Sequence, residues 1–219
     1  FLETHAERYD LRCLLGFVHQ HFGHLDAARY CYEVAQAIAP PSRELQQNLA
    51  QIYFTQGDLP RARTAFEAAL RLVPNDLALL DALAATLQAE GDLLGALGCY
   101  ERILAIDPRH ARAYVGMADA FSGRGWEEDA ERSLRTALDF DADCVTALSS
   151  LAMVDLRAGR YEEAHALLDR AIRLSPQEGG LWRNKGLICA AQGDHAAAEQ
   201  LALKALEVLH HHSGINFWN

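Results

Sequence analysis

Histidine clusters twice in this chain, at His19, His21 and His24 and again at His210, His211 and His212. Imidazole is the commonest protein ligand for transition metals, so these are the first residues to test for chemistry. A metal site needs several ligands converging on one point. Residues two apart on a helix face different directions, so His19 and His21 diverge, and no cysteine or carboxylate stands at an offset that completes a set. The second cluster closes a predicted helix, where positive charge suits the negative end of the helix dipole. Asp139, Asp141 and Asp143 imitate the opening of a calcium loop, but its sixth position holds Cys144 instead of glycine and its twelfth Ser150 instead of glutamate. Cys13, Cys31, Cys99, Cys144 and Cys189 are odd in number and show no paired CxxC spacing, and they read as free thiols in a reducing cytoplasm. No phosphate-cradling glycine loop or nucleophile elbow occurs. The residues therefore predict no catalytic centre, no metal and no cofactor, and the information lies in the elements that carry them.

Those elements repeat. Glycine recurs at Gly23, Gly57, Gly91, Gly125, Gly159 and Gly193, a strict 34-residue period. With glycine at about 7% of average sequence, such a run arises by chance about once in ten million. In the same register stand Ala28, Ala62, Ala96, Ala130, Ala164 and Ala198, and a small residue at Gly16, Ala50, Ala84, Ala118, Ala152 and Gly186. Helices approach closely only where side chains are small, so these positions mark a packing seam within each unit. Proline follows at Pro40, Pro74, Pro108 and Pro176, with Ala142 the departure, and punctuates each unit because it cannot continue a helix.

Between these marks the apolar spacing is helical. Leu45, Leu49, Ile52 and Tyr53 fall at i, i+4, i+7 and i+8, and downstream Phe66, Ala69, Leu70 and Val73 fall at i, i+3, i+4 and i+7, again one helical face. Asp58, Asp92 and Asp194 follow a turn glycine as N-cap candidates, Pro60 falls at a helix start, and Asp26, Glu128 and Glu162 place negative charge in a first turn. First helices are expected near 9–22, 43–56, 77–90, 111–124, 145–158 and 179–192. Second helices are expected near 26–38, 60–73, 94–107, 128–141, 162–175 and 196–209.

Leu49, Ala50, Tyr53, Gly57, Ala62, Phe66, Ala69 and Pro74, with Trp182, Gly186, Gly193, Ala198 and Ala205, carry a resemblance to the tetratricopeptide repeat family. It covers six units, at 9–42, 43–76, 77–110, 111–144, 145–178 and 179–212. Departures are Arg12 and Gln46 at the first aromatic, Lys185 at a leucine and Ile103 at the second alanine. The resemblance implies an all-α fold, a right-handed superhelical solenoid of antiparallel helix pairs, that binds a peptide or protein segment in a concave groove lined by the first helices.

Carried over by register, the groove residues are Phe17 and His21 from the first unit; Glu44, Asn48, Gln51 and Phe54 from the second; and Asp81 from the third. The fourth supplies Arg112, Val115 and Asp119, the fifth Met153 and Arg157 beside Ser149 and Ser150, and the sixth Arg183, Asn184 and Leu187. Asn48 and Asn184 occupy the place where family members use an amide to hold an extended backbone, since an amide both donates and accepts. Asp10, Glu44 and Asp81 stand in the first half and Arg112, Arg157 and Arg183 in the second, so the expected groove is electrically lopsided, with Asp119 breaking the pattern. The family's lysine-rich carboxylate clamp is missing, because Lys185 and Lys204 are the only lysines.

A net charge of −10 argues against nucleic acid or an anionic membrane as the main partner, and no run of 18 apolar residues exists to span a bilayer. The chain opens at Phe1 rather than methionine, so residues 1–8 read as the end of a preceding segment. Ile215, Phe217 and Trp218 make the tail 213–219 apolar, and it is expected to cap the last unit over Leu201 and Leu206. The use of arginine over lysine, with rich alanine, resembles a GC-rich bacterial genome. Protein binding by a scaffold is the leading reading. Its alternatives are a chaperone or assembly factor of a bacterial secretion system, the targeting domain of a larger enzyme such as a glycosyltransferase, and self-association through apolar ends.

Overall fold

The structure, a computed structural model, describes residues 2–38 and 42–213, and the side chains of 8–38 and 42–209. Phe1, Pro40 and the proposed capping residues Ile215, Phe217 and Trp218 lie outside the described residues. Every described element is an α-helix: α1 Leu2–His21, α2 Leu25–Ile38, α3 Arg43–Thr55, α4 Leu59–Leu72, α5 Leu77–Glu90 and α6 Leu93–Ile106, followed by α7 Ala111–Gly123, α8 Glu127–Phe140, α9 Val145–Arg157, α10 Tyr161–Leu174, α11 Gly179–Ala191 and α12 His195–Ser213. The expected helix pairs are present, each second helix starting one residue earlier than its spacing predicted. α1 already begins at Leu2, and α12 runs on through the histidine triplet to Ser213.

The helices group into two compact units, Phe1–Pro108 with α1 to α6 and Arg109–Asn219 with α7 to α12. Within each unit every helix packs on the next, and in the second the first helices also meet, α7 with α9 and α9 with α11.

The period has a backbone cause. All six turn glycines have φ between 74° and 86°, and a Cβ at any of them would meet nothing within 4 Å. Left-handed backbone, not lack of room, selects glycine there. The following helix is then started by a cap: Asp58, Asp92 and Asp194 accept from the amides of Arg61, Gly95 and Ala197 at 3.3, 3.0 and 3.0 Å. Ser42 and Asp76 do the same for α3 and α5, accepting from Leu45 and Leu79 at 3.1 Å each. At the seam Ala50, Ala84, Ala118 and Ala152 are buried, and a Cβ on Gly16 would collide with the Tyr32 ring. Each added apolar group removed from water at such a seam is worth about 0.8 kcal/mol per methylene, which is what holds the helix pairs together.

Polar rungs tie α2, α4, α8 and α10 each to the turn of the repeat that follows. Arg29 donates to Gln56 at 3.2 Å, and Arg63 to Glu90 at 3.3 Å. In the second unit Arg160 reaches back to Glu131 at 2.9 Å, and His165 and Gln192 hydrogen-bond at 2.9 Å. One turn further along, Tyr53 donates to Glu33 at 2.9 Å, and Lys185 pairs with Asp169.

Candidate functional site

The first helices of the second unit converge on a cleft of about 260 Å³. Asp119 and Ser122 come from α7, Ser149, Ser150, Met153 and Arg157 from α9, and Asn184 from α11, over the buried Ala118, Leu134 and Val154. These residues share one wall because successive first helices lie side by side and present the same register positions, about one helical turn apart.

The polar groups are not equivalent. Asn184 donates through Nδ2 to the Ser149 hydroxyl at 3.0 Å, which orients its amide and leaves its carbonyl with only a long, 3.4 Å contact from Arg183. Arg157 is committed: it donates to Glu127 Oε2 at 2.9 Å and to the Ser122 hydroxyl at 3.3 Å. Asp119 has neither a hydrogen bond nor an ion-pair partner among the described residues. Water reaches its carboxylate, yet the walls of the cleft displace enough solvent that burial pushes its pKa above the ordinary carboxylate value.

In the first unit Phe17, His21, Glu44 and Gln51 are exposed, and Asn48, Phe54 and Asp81 are half-buried. Asn48 lies beside the Tyr32 phenol, whose hydroxyl donates to Gln20 Oε1 at 3.2 Å. Burial first, then the neighbouring Cys13 and Cys31, pushes the Tyr32 pKa up to about 12. Tyr100 and Gln88 repeat the arrangement at 2.9 Å two repeats later. His21 meets the Phe22 ring edge-on at 5.5 Å.

Two expectations change. Val115, expected on the groove, is 5% exposed and sits in the core with Ala118, Leu134 and Leu151, so it packs α7 against its neighbours and offers no surface. Arg157 remains exposed, but Glu127 meets its charge, so it is not the free basic group of the groove that its register position suggested; Arg112 and Arg183 are exposed as well. Leu187 is exposed and Met153 half-buried. The sequence reading missed Glu127 and Tyr32, which lie on second helices. Their signal was a fixed offset, 30 residues or nearly one repeat from Glu127 to Arg157, and 16 residues or about half a repeat from Tyr32 to Asn48. Among the described residues no three histidine, cysteine or carboxylate side chains gather as a metal group, and no helix is long and apolar enough to cross a membrane.

Sequence profiles of the tetratricopeptide repeat match residues 43–76, 87–153 and 149–208. The chain belongs to the tetratricopeptide repeat family. Tetratricopeptide repeat protein 7B of Homo sapiens is 32% identical over 85 residues, which are 39% of this chain and 10% of that protein. The chain therefore spans a small part of this relative. A tetratricopeptide repeat protein from Parabacteroides merdae superimposes with a TM-score of 0.77 at 20% identity, covering 92% of this chain and 80% of its own. The Cut9–Hcn1 hetero-tetramer of the APC/C contains a chain that matches with a TM-score of 0.73 at 14% identity, over 94% of this chain and 41% of that one. At these identities the structures share the helical-repeat fold alone. Tetratricopeptide repeats are protein-interaction scaffolds, typically without catalysis of their own, and in that general sense so is this chain.

Proposed function

We propose that the cleft of the second unit binds an extended segment of a partner protein, with Asn184 holding the backbone and Asp119 receiving a basic side chain or an ammonium group. The observation that carries this reading is the unpartnered Asp119 carboxylate in a cleft whose other charged side chain, Arg157, is already paired with Glu127. A carboxylate whose charged form is disfavoured by its surroundings gains from a cation brought within hydrogen-bonding distance. Asn184, fixed on one side by Ser149, presents its remaining amide atoms to a backbone N–H and C=O. Met153 and the small Ser149 and Ser150 leave an adaptable floor between them. Exposed Phe17 and half-buried Phe54 add apolar contact area on the first unit.

Amide hydrogen exchange on the full chain, with and without a peptide selected against it, tests the location. Slowed exchange in α7, α9 and α11 is expected. Protection confined to second helices refutes the assignment.

A further inference from the structure

We propose that the chain associates head to tail with further copies of itself, the outer face of α12 in one copy covering the apolar face of α1 in the next. Within the repeats, the same register positions show what such a face is for. On α3, which packs between α2 and α4, Leu45, Leu49 and Ile52 are 1%, 1% and 0% exposed; on α1, which has α2 but no helix before it in the structure, the equivalent Leu11, Leu15 and Val18 are 55%, 37% and 40% exposed. At the other end, Leu70 and Ile172 are 6% and 9% exposed under the next first helix, whereas the equivalent Leu206 is 51% exposed. Each open face thus has the shape that the other kind of helix fills elsewhere in this chain.

The rungs between repeats match as well. Asp169 on α10 meets Lys185 on α11; shifted by whole 34-residue periods, these positions are Leu203 on α12 and Leu15 on α1, an apolar pair in place of an ionic one. Glu131 on α8 holds Arg160 at the head of α10; the equivalent pair is Glu199 on α12 and His24 beside α1, an acid opposite a base in the same sense. Leu203 and Leu206 are exposed together with Leu209 on α12, while Phe22 extends the α1 stripe by another turn. A second copy is therefore the occupant whose spacing, apolar pattern and charge all agree with the face. Because the contact is heterologous, it does not close on two copies and growth continues with concentration.

Sedimentation equilibrium of the full chain over a range of concentrations tests this, with Leu15→Glu and Leu206→Glu as variants whose side chains are exposed in the single chain and whose helicity is checked by circular dichroism. The wild type is expected to exceed the dimer mass as concentration rises, and either variant alone to stay monomeric. Mixing the two variants leaves one intact α12 and one intact α1, so the mixture should form a dimer and nothing larger. A wild type that is monomeric throughout, or that stops at two copies, overturns the proposal. So does a mixture that fails to pair while the wild type associates.

Discussion

Arg160 at the head of α10 lies against the buried Asp155 in the last turn of α9, Nη2 and Nε at 2.6 and 2.8 Å from the same Oδ1, and its Nη2 also donates to Glu131 at 2.9 Å. Asp155 is 4% exposed, at the position where repeat two has Tyr53, and Arg160 stands where that repeat has the capping Asp58. A buried carboxylate is tolerable only while its counterion is there. Arg160→Ala should therefore lower the denaturant midpoint much more than Asp155→Tyr combined with Arg160→Asp, which restores the residue types of repeat two. Equal losses would mean the pair contributes no more than its exposed neighbours.

Gly91 and Gly98 lie in the same repeat, and a Cβ at either meets nothing within 4 Å. Their backbones differ: Gly91 has φ +86°, whereas Gly98 is inside α6. Gly91→Ala should cost about 1–2 kcal/mol from left-handed strain alone. Gly98→Ala should stabilise by about 0.5–1 kcal/mol, because alanine gives up less chain entropy in a helix. Thermal unfolding of the two variants reads the opposite signs directly.

The turn glycines were legible in the sequence because a positive φ admits almost nothing else, so the backbone writes its period into the composition. Caps at Asp58, Asp92 and Asp194 were legible because the bond spans three residues. Ser42 and Asp76 carry the same signal, but no turn glycine announces them. Val115 was misplaced because neighbouring register positions differ by about 100° around the helix, and which of them faces a neighbour is decided by packing that no local pattern records. Asp155 with Arg160, and Arg157 with Glu127, were illegible for a related reason. Charge in a helix reads as solvated until the partner, up to 30 residues away for Arg157, is brought alongside.

Asp76 caps α5 and also takes an ion pair from Arg43, whose Nη2 lies 2.5 Å from its Oδ2. Burial alone would raise its pKa, but the Arg43 guanidinium and the Leu79 amide outweigh that and hold the carboxyl below its usual 3.8. A depressed folded pKa gives stability that is complete above the unfolded value and is lost as pH falls through the folded one. Asp76→Asn keeps a cap but loses the ion pair with Arg43, so it should cost on the order of 1 kcal/mol at neutral pH, and should flatten the fall in stability below about pH 4, as followed by urea unfolding at stepped pH.

The Tyr32 phenol, pushed up to about 12 from 10.0 by burial and then by Cys13 and Cys31, stays neutral at pH values where a free phenol ionises. With the folded pKa raised, the stability it contributes is complete below pH 10 and is lost as pH rises toward 12. An ultraviolet titration of the folded chain should show its last phenol step disappear in Tyr32→Phe. Retention of that step would assign it to another of the seven tyrosines.

The most direct measurement is the affinity of the full chain for peptides selected against it, compared among wild type, Asn184→Ala and Asp119→Asn. Neither residue is buried, so both variants should keep the helical content of the wild type. Asn184→Ala should weaken every selected peptide by about tenfold, the loss of one or two backbone hydrogen bonds. Asp119→Asn should weaken by a similar factor only those peptides that carry a lysine, an arginine or a free amino group near the cleft. Affinities unchanged in both variants would contradict peptide capture in this cleft.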